Sequence, residues 1–163
     1  MTYIHAGVRF SPCCNKYRYA LWRVWDTALP LVAFIGLNPS TADDRTDDPT
    51  IRRCVGFAKS WGYGGLRMFN LFAFRATDPA EMKAAADPFG PENVHALCDG
   101  TRGILTVAAW GNHGSFKGAD KSARVLIHGM HILKLTKQGQ PAHPLYLRKD
   151  LRPILWDALE QKP

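Results

Sequence analysis

Asn38, Asn70, Trp110-Gly111-Asn112-His113 and His143 are the residues of this chain best suited to chemistry. Asn38 sits in Gly36-Leu37-Asn38-Pro39-Ser40, at the end of the apolar run Leu31 to Leu37. Asn70 falls near the end of Leu66 to Phe72, and Trp110-Gly111 closes Ile104 to Trp110. His143 lies in Pro141-Ala142-His143-Pro144-Leu145-Tyr146, after His131 to Leu135. Asparagine and histidine place donors and acceptors rigidly without a fixed charge, and the glycines and prolines around them fix the backbone. Asparagine also makes turns, which is the plain alternative for Asn38 or Asn70 taken singly. Polar groups after every strand are harder to explain that way. Of the other histidines, His5, His95, His128 and His131 read as surface or structural residues, and His113 alone lies close to the set.

The elements that must position these residues read as alternating strands and helices. Tyr17 to Asp26 is an aromatic-rich strand, and Ala28-Leu29-Pro30 separates it from the next. Continuous apolar runs such as Leu31 to Leu37 suit a strand buried on both faces. Asp48-Pro49 is a helix start, with Ile51, Val55 and Ala58 on one face and Gly62 at the end. Helices are expected from near Pro79, from near Pro91, over Asp120 to His128, and over about Asp150 to Leu159. From residue 31 onward the alternation predicts a three-layer αβα fold with a central four-stranded parallel sheet. Residues 1–30 form an N-terminal β extension of the same single domain, 1–163. Ligands of such sheets bind outside the carboxyl ends of the strands.

Composition narrows the function. A chain of 163 residues, 46% apolar and 21% charged, has the balance of a folded domain. No run reaches the roughly 20 apolar residues of a membrane span, and the first residues lack a secretory-signal pattern. A cytoplasmic protein is the expectation, with no membrane partner and a monomeric state. The formal charge of +7 and pI near 9.4 suit a polyanionic partner. Cys13, Cys14, Cys54 and Cys98 lack metal-site spacing, and no cofactor is expected. A G-x-S-x-G elbow, a P-loop and a dinucleotide fingerprint are all absent.

Gly36-Leu37-Asn38-Pro39 resembles the first motif of the mismatch-specific uracil and thymine-DNA glycosylases, within the uracil-DNA glycosylase superfamily. Asn70 in Met68-Phe69-Asn70-Leu71-Phe72 resembles that superfamily's pyrimidine-reading asparagine, and Trp110-Gly111 a strand ending found in several of its branches. Ala142-His143-Pro144 resembles its late His-Pro motif, which precedes a loop that enters the minor groove. The ordered set spans roughly residues 31 to 156. The chain is also similar to an uncharacterised bacterial and phage domain family bearing GLNPS-type and HP-type motifs.

The resemblance implies a DNA glycosylase that flips a deaminated, mismatched or modified pyrimidine out of DNA for base-excision repair. Asn38 would orient the attacking water and His143 would donate to the base O2, making these two catalytic. Asn70 would read the base edge, with Gly36, Leu37, Pro39, Ser40, Trp110 and Gly111 completing the substrate site. Tyr146 or Leu147 would fill the gap in the stack, with Lys137, Arg148, Lys149 and Arg152 on the phosphates. The plain alternative for these cations is a solvated basic face.

Two departures stand out. Asn38 occupies a position where the most active branches carry aspartate, and an amide cannot take a proton from water at neutral pH. Leu145-Tyr146-Leu147 replaces the family's small serine-rich run. In the acidic loop Asp48 is explained by helix capping. Asp43, Asp44 and Asp47 are either surface charges or include one that supplies the missing carboxylate or stabilises the cationic sugar, with a divalent metal held by the cluster as a further option. Two other functions stay open: an enzyme acting on modified nucleosides or nucleotides, and a non-catalytic base reader.

Overall fold

A computed structural model of the chain describes residues 2–12 and 14–157. It is an α/β fold built on one mixed sheet. The strands are β1 (His5–Phe10), β2 (Arg18–Val24), β3 (Leu31–Gly36), β4 (Gly65–Asn70), β5 (Thr106–Ala108), β6 (His131–Ile132) and β7 (Ile154–Leu155). The helices are α1 (Pro49–Ser60), α2 (Pro79–Ala84), α3 (Asn93–Thr101) and α4 (Ala119–Leu126). Short 3-10 turns cover Asn112–Gly118 and Pro144–Tyr146.

The sheet has seven strands in the order β1-β2-β4-β3-β5-β6-β7, wider than the four strands expected. β3 pairs parallel with β4 and β5, and β5 pairs parallel with β6. β1 and β2 add an antiparallel pair beside β4, and β7 runs antiparallel to β6 at the other edge.

The expected helix over Asp150 to Leu159 is corrected over its described part. Pro153 disfavours helical backbone at the preceding Arg152, and Ile154 and Leu155 pair with Ile132 and His131 instead. The end of that segment, residues 158–163, lies outside the described residues, as does Cys13.

β3 shows why an unbroken apolar run was needed. Val32 and Phe34 face one core with Ile51, Cys54, Val55 and Phe57 of α1. Ala33 and Ile35 face the other, with Met82 of α2, Leu97 of α3, and Ala119 and Ala123 of α4. Alternate residues of a strand point to opposite faces, so a strand covered on both sides must be apolar throughout. Burying each large apolar side chain stabilises the fold by about 1.5–3 kcal/mol.

α1 forms for local reasons. The Asp48 carboxylate accepts from the Ile51 N–H at 2.8 Å, and Pro49 takes the first turn where no donor is needed. The chain leaves β3 toward the α1 face and leaves β5 toward the α4 face. These neighbouring strands therefore open a crevice between their carboxyl ends.

Candidate functional site

A cavity of about 610 Å³ lies at that crevice. Asn38 follows β3, Asn70 ends β4, Trp110 and Gly111 follow β5, and His143 follows β6; all of them line it. Gly36, Leu37 and Ser40 also line it, whereas Pro39 does not. Pro39 is buried and accepts from the Ala76 N–H at 3.0 Å, a structural task in place of the expected substrate contact.

Asn38 is held by its amide. Nδ2 donates to the carbonyls of Ala76 at 2.7 Å and Pro39 at 3.2 Å. With the amino group committed, Oδ1 is left as the acceptor for whatever the cavity holds.

Asn70 is 4% exposed and stands at the last position of β4, opposite Gly36. A Cβ at Gly36 would lie 2.8 Å from Asn70 Oδ1, so only glycine lets this carboxamide rest over the neighbouring strand. The Asn70 carbonyl accepts from Asn93 Nδ2 at 3.0 Å, and so does that of Leu71. Asn93, 1% exposed at the start of α3, thus pins the strand end. Asn70 Nδ2 is buried with no hydrogen-bond partner among the described residues.

His143 precedes the turn Pro144–Tyr146, and its Nδ1 accepts from the Leu145 N–H at 3.4 Å. In a neutral ring that arrangement leaves Nε2 as the donor. Burial pushes the imidazole pKa down, against a smaller upward pull from Asp48, so the ring is neutral at pH 7. Arg53 of α1 anchors this loop by donating to the carbonyls of Pro144 at 3.4 Å and Leu147.

Trp110 is a wall rather than a surface aromatic. It is buried against Trp156, and its Nε1 donates to Gln140 at 2.8 Å, whose Nε2 donates to Asp120 at 2.7 Å. Gly111 has φ +73° and donates to Pro141 at 2.8 Å, tying the β5 and β6 loops together. His113 is exposed at the rim, where its Nδ1 lies 3.1 Å from Lys83 Nζ.

The two wedge candidates separate. Tyr146 is 87% exposed, lines the cavity and lies 5.9 Å from the His143 ring. Leu147 is half-buried against the α1-side core and does not line the cavity. Arg148 forks onto Asp150 at 2.6 and 3.1 Å, and neither it nor the exposed Lys149 lines the cavity. Lys137 and Arg152 are exposed and also stand outside it.

The acidic loop is mostly engaged in holding itself. Asp43 accepts from the N–H groups of Arg45 and Thr46, which hold its carboxyl below the usual range. Asp47 pairs with Arg23 at 2.8 Å and accepts from Tyr3 at 2.5 Å, while Asp44 is exposed. Asp48, the α1 cap, is the only carboxylate lining the cavity among the described residues. Among those residues no group of three or more histidine, cysteine or acidic side chains is placed to hold a metal. No helix among them is long and apolar enough to cross a membrane.

Arg18, like Asn93 and Arg53, escaped sequence reasoning. Arg18, the first residue of β2, is 2% exposed and lines the cavity. Its Nη1 donates to the Ala42 carbonyl at 2.6 Å, while Nε has no partner. Burial lowers its pKa to about 10, Arg75 and Arg23 push the same way, and Asp48 opposes. The available signal was the pair Arg18 and Arg23 inside a strand that is otherwise aromatic and apolar.

With this geometry in place, one family accounts for most of the chain. The model of the family described as "Protein of unknown function (DUF1643)" matches residues 18–145. The chain belongs to that family. The matched span starts at Arg18 and takes in Asn38, Asn70, Trp110 and His143, while Tyr146 lies one residue beyond it. No curated protein and no solved structure matches the chain.

Proposed function

We propose that this DUF1643 chain is a DNA glycosylase-like hydrolase of uracil-DNA glycosylase-like fold. It would cleave the N-glycosidic bond of a deaminated, mismatched or modified pyrimidine flipped out of DNA. The observation that carries the reading is the meeting of Asn38, Asn70 and His143 on one cavity at the strand ends.

Breaking the sugar–base bond leaves an oxocarbenium-like sugar, and the bonding pair departs with the base. Neutral His143, donating from Nε2, would stabilise the negative charge that develops on the pyrimidine. Asn38 Oδ1 would accept from the water whose oxygen bonds to the sugar carbon. An amide cannot keep that proton, and Asp48, which also lines the cavity, would receive it. Asp48 would also favour the cationic sugar. Exposed Tyr146 at the rim suits the side chain that fills the vacated stack, and the charge of +7 suits a phosphate backbone.

The test is release of free bases from single- and double-stranded oligonucleotides carrying diverse pyrimidine lesions. The expected result is abasic product that is lost in Asn38→Ala and His143→Ala. Activity that survives both substitutions removes these residues from the chemistry. Salt-dependent binding without base release makes the chain a reader, and cleavage of nucleosides alone makes it a nucleoside enzyme.

A further inference from the structure

Two buried donors in the cavity wall have no partner among the described residues: Arg18 Nε and Asn70 Nδ2. β2 and β4 are antiparallel neighbours, so the first residue of one lies at the same end of the sheet as the last residue of the other. Both residues are almost fully enclosed. A guanidinium carries five N–H donors and keeps its proton. Among the described residues the Arg18 side chain makes one hydrogen bond, to Ala42, and no ion pair. Arg23 and Arg75 add like charge, and Asp48 and Asp43 act on it only from beyond ion-pair distance. A charge buried without a partner is costly. Here the cost falls on the wall of a cavity that already carries a second orphaned donor.

We propose that this wall is a subsite for an oxyanion carried by the substrate, a carboxylate or a phosphate, gripped by Arg18 with Asn70 as the second donor. The proposal rests on reading the cavity as the substrate site. Arginine suits the task because its planar fork meets two oxygens of one anionic group at once. The oxyanion has two possible sources, a carboxylate on the base ring or a phosphate on the sugar.

Calorimetric titration of the full chain at constant ionic strength separates them with two matched pairs of ligands. The first pair is uracil and uracil-5-carboxylate; the second is deoxyuridine and deoxyuridine 5′-monophosphate. The anionic member of one pair binds tenfold or more tighter, on the order of one charge-assisted contact. Preference in the first pair assigns the anion to the base, and preference in the second assigns it to the sugar phosphate. The preference vanishes in Arg18→Met and survives in part in Arg18→Lys.

Equal binding within both pairs, absence of binding by all four, or a preference unchanged in Arg18→Met overturns the proposal. Should Arg18→Met fail to fold by circular dichroism, Asn70→Asp takes its place, since a carboxylate there repels the anion; an unchanged preference in that variant is equally fatal. Anion preference without base release from any oligonucleotide refutes the glycosylase reading and leaves the subsite standing. Base release without anion preference does the reverse.

Discussion

Arg18 and Arg23 lie on the same strand, both almost wholly buried, yet they belong to different kinds of structure. Arg23 is surrounded by partners: the Asp47 carboxylate at 2.8 Å, the Asp43 carbonyl at 2.5 Å, the Trp22 carbonyl at 3.0 Å and the Tyr3 ring at 5.4 Å. Arg18 has a single carbonyl and an open cavity. Burial is therefore the wrong criterion for a functional charge. Whether the protein itself satisfies the charge is what separates a brace from a binding group.

The comparison is broken most directly by removing each partner in turn. Asp47→Ala leaves Arg23 buried and unpaired, and should cost about 3–5 kcal/mol in urea unfolding. Arg18→Met removes a charge the fold does not pair, so its unfolding free energy should stay within about 1 kcal/mol of the parent or rise. If the two variants lose stability equally, the distinction between the arginines fails.

At the cavity end the effects should fall on turnover. Asn38→Ala and His143→Ala should each lower the rate of base release by about 10²–10³-fold. Asn38→Ala also removes the bond to Ala76, which costs about 1 kcal/mol of stability. A variant that loses more stability than activity would mark Asn38 as a turn former only.

A smaller effect concerns pH. The folded-state pKa of His143 lies below its ordinary value of 6.5 because burial disfavours the charged ring. Below pH 6.5 the unfolded chain therefore takes up more protons than the folded one. The stability contributed by the neutral ring is complete above that pH and is lost as pH falls toward the folded-state value. Unfolding measured between pH 7.5 and 5 should thus show a shallower acid loss in His143→Gln than in the parent. The smallest change in stability should come from Tyr146→Ala, within about 0.5 kcal/mol because the ring is in solvent. Its base release from duplex DNA should drop while release from single strands persists.

Much of the frame was legible because local signals and tertiary demands agreed. Leu31 to Leu37 is apolar at every position because helices cover both faces, and Asp48-Pro49 starts α1 through a cap that needs nothing distant. β7 was misread: Pro153 was a local signal against the helix, but that Ile154 and Leu155 pair as a strand depends on the distant open edge of β6. The strand-end asparagines and His143 could be read from their positions. Arg18, Asn93 and Arg53 could not, since each works through groups 20 or more residues away in sequence. That Pro39 and Leu147 lie off the cavity could not be read either, because adjacency to a motif says nothing about which way a side chain points.

The absence of a side chain at Gly36 means that the Asn70 carboxamide lies directly on the main chain of β3. Main chain in mid-sheet has no rotamers with which to yield. A bulkier ligand must find its room on the side of the loops that carry His143 and Tyr146, and new selectivity in this scaffold would be engineered there, with strand β3 left untouched.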